Sequence, residues 1–277
     1  MLFIINPISG KGKKQRLAQR LLAKGCKVAF TEYAGHAEVL AREATDEVVV
    51  AVGGDGTVNE VARGIVGTEK ALGIIPCGSG DGLARHLRLS HNIKKALCAI
   101  EQGECKRMDA AEVNGRPFFS VCGVGFDAVV SERFAKSGKR GLMSYIRQGL
   151  KTWSSYLPEK YIVEIDGKEI EVEALFITVG NSDQWGNNAK ITPLADCCDG
   201  ILDVTIVEKF SVWEMPILAL RLMIGTLQRS RKVHCYKGKS IRITRQNEGP
   251  AHADGDWYME SATLDIKIIP SALKVIA

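Results

Sequence analysis

The first hundred residues alternate between two hydrophobic periods. Leu2–Ile5 is a short apolar run stopped by Asn6-Pro7, and residues 13–24 carry Leu17, Leu21 and Leu22 at helical spacing. Val28–Thr31 reads as a strand and Glu38–Ala44 as a helix. Within Glu47–Val52, the run Val48-Val49-Val50-Ala51-Val52 is the pattern of a parallel strand covered on both faces. Val58–Val66 reads as helix, Leu72–Ile75 as a buried strand, and residues 82–88 and 92–102 as helices. Strand alternating with helix predicts an open, parallel α/β sheet.

After Gly103 the texture changes. Ala110–Val113, Phe118–Val121, Tyr161–Ile165, Ile170–Val179, Ile201–Val207, Ser240–Thr244 and Leu264–Ile269 read as strands, several of them alternating. Asp166-Gly167 separates two of these as a tight hairpin does. Helices are expected near 126–134, 141–153 and 211–227. The second half is therefore mostly antiparallel β, and the expected division is 1–108 and 109–277, with the last few residues free to pack back on the first domain.

A chain of 277 residues has room for two such domains. With 45% hydrophobic and 25% charged residues it is globular, which excludes a disordered or fibrous chain. A net charge of +5 permits attraction to phosphates or anionic lipid without marking a nucleic-acid protein. The eight cysteines include no C-x-x-C pair, so neither zinc nor a disulfide framework is expected. The opening apolar run is too short and lacks the basic flank of a signal peptide, and a cytoplasmic protein with reduced thiols is expected.

The most informative stretch is Gly53-Gly54-Asp55-Gly56-Thr57-Val58-Asn59-Glu60, which follows the buried strand and opens a helix. Three glycines let the backbone approach an anion, and a helix start favours negative charge. Thr57 and Glu60 have capping-box spacing. Asp55 cannot bind a phosphate directly. A carboxylate there needs a cation, usually Mg²⁺, or a proton to accept. The bland alternative is a tight turn without a ligand. Two more loops leave the same sheet edge, Asn6-Pro7-Ile8-Ser9-Gly10 and Pro76-Cys77-Gly78-Ser79-Gly80-Asp81-Gly82. Carboxyl ends of parallel strands line the ligand crevice of such sheets, so three glycine-rich loops form a phosphate-binding rim.

These residues reach a known family. Asn6-Pro7 with Ser9-Gly10, Thr31 followed by Gly35-His36-Ala37, Gly53–Glu60 and Pro76–Arg85 resemble, in order, the signatures of the diacylglycerol kinase catalytic domain family. Gly123–Ala128, Pro193–Val204 and Asp254-Gly255-Asp256 continue the match, which covers nearly the whole chain. The resemblance implies an α/β nucleotide-binding domain and a β-sandwich domain, using ATP and Mg²⁺ to phosphorylate a lipid alcohol of diacylglycerol or sphingoid type. It implies nucleotide contacts from Asn6, Ser9, Gly10, Thr31, Gly54, Asp55, Gly56, Thr57, Asn59, Gly78 and Ser79, and acceptor contact from Asp127. Asp254 matches the acid that deprotonates the lipid hydroxyl, and Asp55 acts through Mg²⁺ or as base. Asp256 stands where the family usually has Glu, as a metal-facing carboxylate. Asp196 and Asp199 fall in a loop that holds a structural Mg²⁺ in some members. Ser79 and Gly82 look like the sphingosine kinase branch, but Asp81 replaces an Asn, and either takes over a metal-binding duty or weakens nucleotide binding.

The expected partner is a lipid at a membrane surface, met peripherally, with a homodimer as an option and no nucleic acid. The helix over 211–227, followed by Arg229, Arg231, Lys232, Lys237 and Lys239, reads as a core helix with a solvated basic tail; an interfacial element is the alternative. Two other functions stay open: a soluble kinase of a small alcohol or of NAD, and an inactive nucleotide- or lipid-binding relative.

Overall fold

Residues 1–7, 13–138, 142–153 and 155–277 are described by the computed structural model, which divides the chain into two units. Unit 1 is Met1–Ala110 with Pro270–Ala277, and unit 2 is Ala111–Ile269.

Unit 1 runs β1 (Leu2–Ile5), α1 (Lys13–Ala23), β2 (Lys27–Phe30), α2 (His36–Glu43), β3 (Val48–Gly53), α3 (Asp55–Ile65), β4 (Ala71–Pro76), α4 (Gly82–His86) and α5 (Ile93–Gln102), and β5 (Cys105–Val113) leads out of it. The strands pair in parallel in the order β2-β1-β3-β4, with Ile4 between Ala29 and Ala51, and Ala51 beside Ile74. The β-branched run of β3 is buried from Val49 to Val52 because helices cover both faces. Leu17, Ala18 and Leu21 of α1 and Ala96 and Ile100 of α5 close one face over Phe3, Val50, Val52 and Ile75. On the other face α2 and α3 meet at Gly64, where a β-carbon would lie 2.5 Å from the Glu38 carbonyl oxygen. The strand that closes this sheet comes from the far end of the chain. In β16 (Thr263–Ile276), Lys274 and Val275 pair in parallel with Ala71 and Leu72 of β4.

Unit 2 contains β6 (Arg116–Phe118), β7 (Val121–Gly125), α6 (Phe126–Lys136), α7 (Leu142–Trp153), β8 (Glu159–Ile165), β9 (Lys168–Ala174), β10 (Phe176–Gly180) and β11 (Leu202–Val207). It continues with α8 (Met215–Ile224), β12 (Val233–Gly238), β13 (Ser240–Arg245), β14 (Gly249–Ala253), β15 (Asp256–Glu260) and the first part of β16. One antiparallel sheet is ordered β12-β11-β10-β7-β14-β15; a second ladder is β16-β13-β8-β9. Cys122, Val124, Ile177 and Val204 of the first face Tyr161, Val163, Ile243 and Ile266 of the second in one buried cluster, which makes the unit a β-sandwich.

Three hairpins turn on a two-residue loop with both residues at positive φ: Asn114-Gly115, Asp166-Gly167 and Asp254-Gly255. This is the turn whose twist matches that of its strands. The last one separates two acids that stand two apart in the sequence, which in an extended segment would point to the same side. Asp254 is in the turn and Asp256 begins β15.

Other boundaries shift for identifiable reasons. The run expected over Ile170–Val179 breaks at Leu175, whose carbonyl accepts the Phe126 amide and whose amide donates to Val207, so β9 and β10 enter different ladders. The run expected over Phe118–Val121 is interrupted because the amides of Phe119, Ser120 and Val121 turn to the Asp254 carboxylate. The expectation that α8 is a core helix fails as well. Leu218 is its one buried residue.

Candidate functional site

The parallel strands β1, β3 and β4 end at Ile5, Gly53 and Pro76, so unit 1 gathers their loops at one edge. Ser9 and Gly10 lie outside the described residues. The remaining loops are packed backbone against backbone. A β-carbon on Gly78 would lie 2.7 Å from the Gly54 Cα, and one on Gly80 would lie 2.6 Å from Asp55 Oδ2. Only glycine permits this approach.

Asp55 ties the loops together. Its Oδ2 accepts the Asp81 amide at 2.8 Å and its Oδ1 the Gly82 amide at 2.6 Å. Asp81 returns the link, with Oδ1 accepting the Gly78 amide at 3.0 Å. α3 starts at Asp55 with Gly54 as its N-cap and no side chain capping it. Its first-turn amides therefore suit an anion. The capping box expected from Thr57 and Glu60 does not form, because the helix begins three residues earlier, with Gly54 as its N-cap. Thr57 is buried against Gly53, where a β-carbon would meet its Oγ1 at 2.4 Å. Glu60 instead reaches α2, accepting the amides of Gly35 at 2.9 Å and Ala37 at 3.1 Å. Thr31 lies buried just past β2, its amide on the Ile5 carbonyl, and Asn59 is buried within α3. Ser79 is exposed at the loop tip.

Sequence reasoning missed Lys14. Its side chain is buried, and Nζ donates to the carbonyls of Asn6 at 2.8 Å and Val52 at 3.4 Å, the ends of β1 and β3. Burial pushes its pKa down, against the raising influence of Cys77 and Asp81. A basic residue in the first turn of a helix signals solvent exposure, so nothing local marked it. Beside Pro76-Cys77-Gly78 opens a cavity of about 900 Å³ lined by Lys14, Arg16, Arg20, His91 and Lys94. Its volume and charge suit a polyphosphate.

Asp81 is the most perturbed acid of the site. It is 3% exposed and left-handed at φ 48. Its Oδ2 makes no hydrogen bond and faces His91 Nε2 at 3.4 Å. Burial, and then the charge of Asp55, push its pKa up to about 6. Burial, and then Arg85, push His91 down, which weakens it as a counter-ion. The folded-state value lies above the usual 3.9, so Asp81 gains protons on folding between about pH 4 and 6. Its contribution to stability is full below that window and lost as pH rises through about 6. Asp81→Asn keeps an acceptor for Gly78 and removes the buried charge. It is expected to stabilise the chain at pH 7.5 by about 1–3 kcal/mol and not at pH 4. Urea unfolding at the two pH values measures this; equal effects at both would overturn it.

Unit 2 holds the other acids. Asp254 Oδ1 accepts the amides of Ser120 at 2.7 Å and Val121 at 3.1 Å, and Oδ2 that of Phe119 at 2.9 Å. Asp256 is exposed. Asp127, near the start of α6, is 3% exposed; Oδ2 accepts from Thr178 Oγ1 and pairs with His252 Nε2, each at 3.0 Å, and Oδ1 accepts the Ala128 amide. Gly123 is needed beneath this pair, since a β-carbon would lie 2.4 Å from Asp127 Oδ2. Asp127 is thus enclosed by Thr178, His252 and the amide of Ala128.

The loop with Asp196 and Asp199 supplies its own cation. Asp196 Oδ1 accepts the Cys198 amide and Asp199 Oδ1 the Ile201 amide. Lys237 Nζ stands 3.6 Å from Asp199 and 3.3 Å from the buried Asp203. An ammonium between two carboxylates leaves Asp199 a poor fit for a structural Mg²⁺. Lys237→Met is therefore expected to lower the melting temperature, because it leaves the buried Asp203 without its cation. A Mg²⁺-dependent rise in melting temperature that Asp199→Asn abolishes, measured by differential scanning fluorimetry, would count against this.

The site and fold are those of a kinase with a glycine-loop phosphate rim. The family model for the diacylglycerol kinase catalytic domain matches residues 1–113, and that for the YegS C-terminal NAD kinase beta sandwich-like domain matches 120–277. The chain is 30% identical over 267 residues to a diacylglycerol kinase of Staphylococcus saprophyticus, covering 92% of this chain and 88% of that protein. It is 28% identical over 267 residues to one from Staphylococcus carnosus, covering 92% and 87%. It resembles a crystal structure of a candidate diacylglycerol kinase from Bacillus anthracis with a TM-score of 0.81 and 26% identity, covering 99% of this chain and 96% of that one. An NAD kinase from Archaeoglobus fulgidus, solved with ATP, shares the fold at a TM-score of 0.61 and 12% identity, covering 100% and 93%. The chain belongs to the bacterial, YegS-like diacylglycerol kinase family.

Proposed function

We propose that the protein is an ATP- and Mg²⁺-dependent lipid kinase that phosphorylates the hydroxyl of a lipid alcohol of diacylglycerol or sphingoid type. The carrying observation is the cross-tie of Asp55 to the amides of Asp81 and Gly82, which fixes two glycine loops beside the uncapped start of α3. Such a rim binds and orients the phosphates of a nucleotide, with Asn6, Thr31, Gly54, Gly56, Thr57, Gly78 and Ser79 around them. Lys14 holds the ends of β1 and β3 in place for it.

Mg²⁺ fits the acids of this rim. Asp81 Oδ2 is buried without a hydrogen bond and carries the repulsion of Asp55, so a cation shared by the two would relieve both. Asp55 and Asp81 would hold it; when bound it would supply neutralisation of phosphate charge. The acceptor oxygen attacks the γ-phosphorus, ADP leaves, and the hydroxyl proton passes to a carboxylate, Asp254 or Asp55. Asp127 positions His252 rather than the acceptor.

Radiolabelled ATP tests the reading against diacylglycerol, ceramide, sphingoid bases, phosphatidylglycerol and NAD. Label in an organic-soluble product is expected from one of the lipids. Label only in NAD would establish the soluble-kinase alternative, and none at all would establish an inactive binding protein.

A further inference from the structure

α8 is apolar on both sides. Its inner side, Leu218 and Leu222, packs with Leu227 into the cluster of Phe176, Ile191, Val207 and Val233. Its outer side faces solvent. Pro216, Ile217, Leu220, Met223 and Ile224 follow helical spacing on one face, and the turn before the helix adds Val212 and Trp213 to the same stripe. Trp213 is 88% exposed, Ile224 60%, Leu220 59% and Ile217 51%. No charged residue interrupts the stripe. A helix this apolar, with Arg221 as its one charged residue, is ordinarily buried in protein or lipid.

Charge lies at both ends of the stripe. Exposed Lys209 precedes it, and exposed Arg229 and Arg231 follow it. Among the described residues none of the three is in an ion pair. The one acid at the helix start, Glu214, accepts the Ser211 amide at 2.7 Å. The α8 helix has 10 residues and spans about 15 Å, half the thickness of a hydrocarbon core, so it cannot cross a bilayer. It has the length, the exposed indole and the cationic flanks of a helix lying in the interface.

We infer that the outer face of α8, led by Trp213, Ile217, Leu220 and Ile224 and flanked by Lys209, Arg229 and Arg231, docks on a bilayer carrying anionic headgroups. The inference deepens the lipid-kinase reading, because it says which surface of unit 2 meets the membrane. A second copy of the chain would not be drawn by the flanking cations, since each copy would bring the same charges to the contact.

Vesicles of phosphatidylcholine, with and without phosphatidylglycerol, test it by flotation with the full chain and no nucleotide. Binding is expected to the anionic vesicles, and to weaken about tenfold or more in Ile217→Ser/Leu220→Ser. Arg229→Glu/Arg231→Glu should lose the preference for phosphatidylglycerol. Brominated lipids should quench tryptophan emission in the unmodified chain and much less in Trp213→Phe. Unchanged melting temperatures show that the variants fold, since these side chains face outward. Anionic-vesicle binding that is absent, or undiminished in Ile217→Ser/Leu220→Ser, overturns the inference. So does light scattering that shows a dimer dissolved by that variant. Because flotation is read without nucleotide, and so without turnover, the two proposals fail separately. Stripe-dependent binding with no kinase activity would leave the surface standing and remove the lipid-kinase reading.

Discussion

Asp55→Ala is expected to lower ATP-dependent phosphoryl transfer by a factor of about 10² to 10³, the scale for losing an essential charge or base. The residue is half-buried at the start of α3, outside the core, so the chain should still fold. It will fold less firmly, because the amides of Asp81 and Gly82 lose their acceptor. Each such bond to a carboxylate contributes about 1.5–3 kcal/mol when well enclosed and less when partly wet. A fall in melting temperature of a few degrees should accompany the loss of activity. Asp55→Asn is not a gentle substitute, since its NH₂ group would point at one of those two amides. Near-normal turnover in Asp55→Ala, measured with saturating ATP and Mg²⁺, would show that the catalytic centre lies elsewhere.

Asp254→Asn should lower the turnover number by about 10² or more if Asp254 is the base, with little change in the KM for ATP. The structure adds a second effect. Asn offers one acceptor oxygen, which can serve Ser120 and Val121, and places NH₂ against the Phe119 amide. The melting temperature should therefore fall too. A Mg²⁺ titration separates the acids. Added Mg²⁺ should rescue Asp256→Asn and leave Asp254→Asn low. The opposite pattern reverses their roles. If Asp254→Asn melts earlier yet turns over normally, its work is to hold the 119–121 segment, and Asp55 becomes the base.

Much of the fold was legible because it was written locally. The valine run of β3 and the glycines after it announce a buried strand and a close-packed turn within ten residues. Asp166-Gly167 announces its hairpin in two. What stayed hidden are partnerships across the chain. Glu60 looks like a capping residue for its own helix, and nothing near it says that the free amides at Gly35 and Ala37 are closer at hand. Asp254 and Asp256 alternate as in a strand until the three amides at 119–121 claim the first of them. Lys14 reads as surface because its two carbonyl partners belong to other strand ends. The outer face of α8 was misjudged for a related reason. Its composition is that of a core helix, and only the fold shows that one side has no protein against it. Of the candidate site, residue identities were visible in the motifs. The Asp55–Asp81 linkage, which gives the rim its shape, was not.

The late strand that completes unit 1 also sets a timetable. Its Ser271 amide binds Asp109 and its Lys274 ammonium binds Glu69, while the Lys274-Val275 segment lines the free edge of β4. A ribosome must therefore translate all of unit 2 between the nascent phosphate loops and the segment that seals their sheet. At about 5–20 residues per second, the stretch Ala111–Ile269 imposes a delay on the order of ten to thirty seconds. During that interval β4 presents an open, parallel-competent edge. The unit with the glycine-rich loops is begun before unit 2 and sealed after it, so a chain stalled before Pro270 would carry those loops on an unsealed sheet.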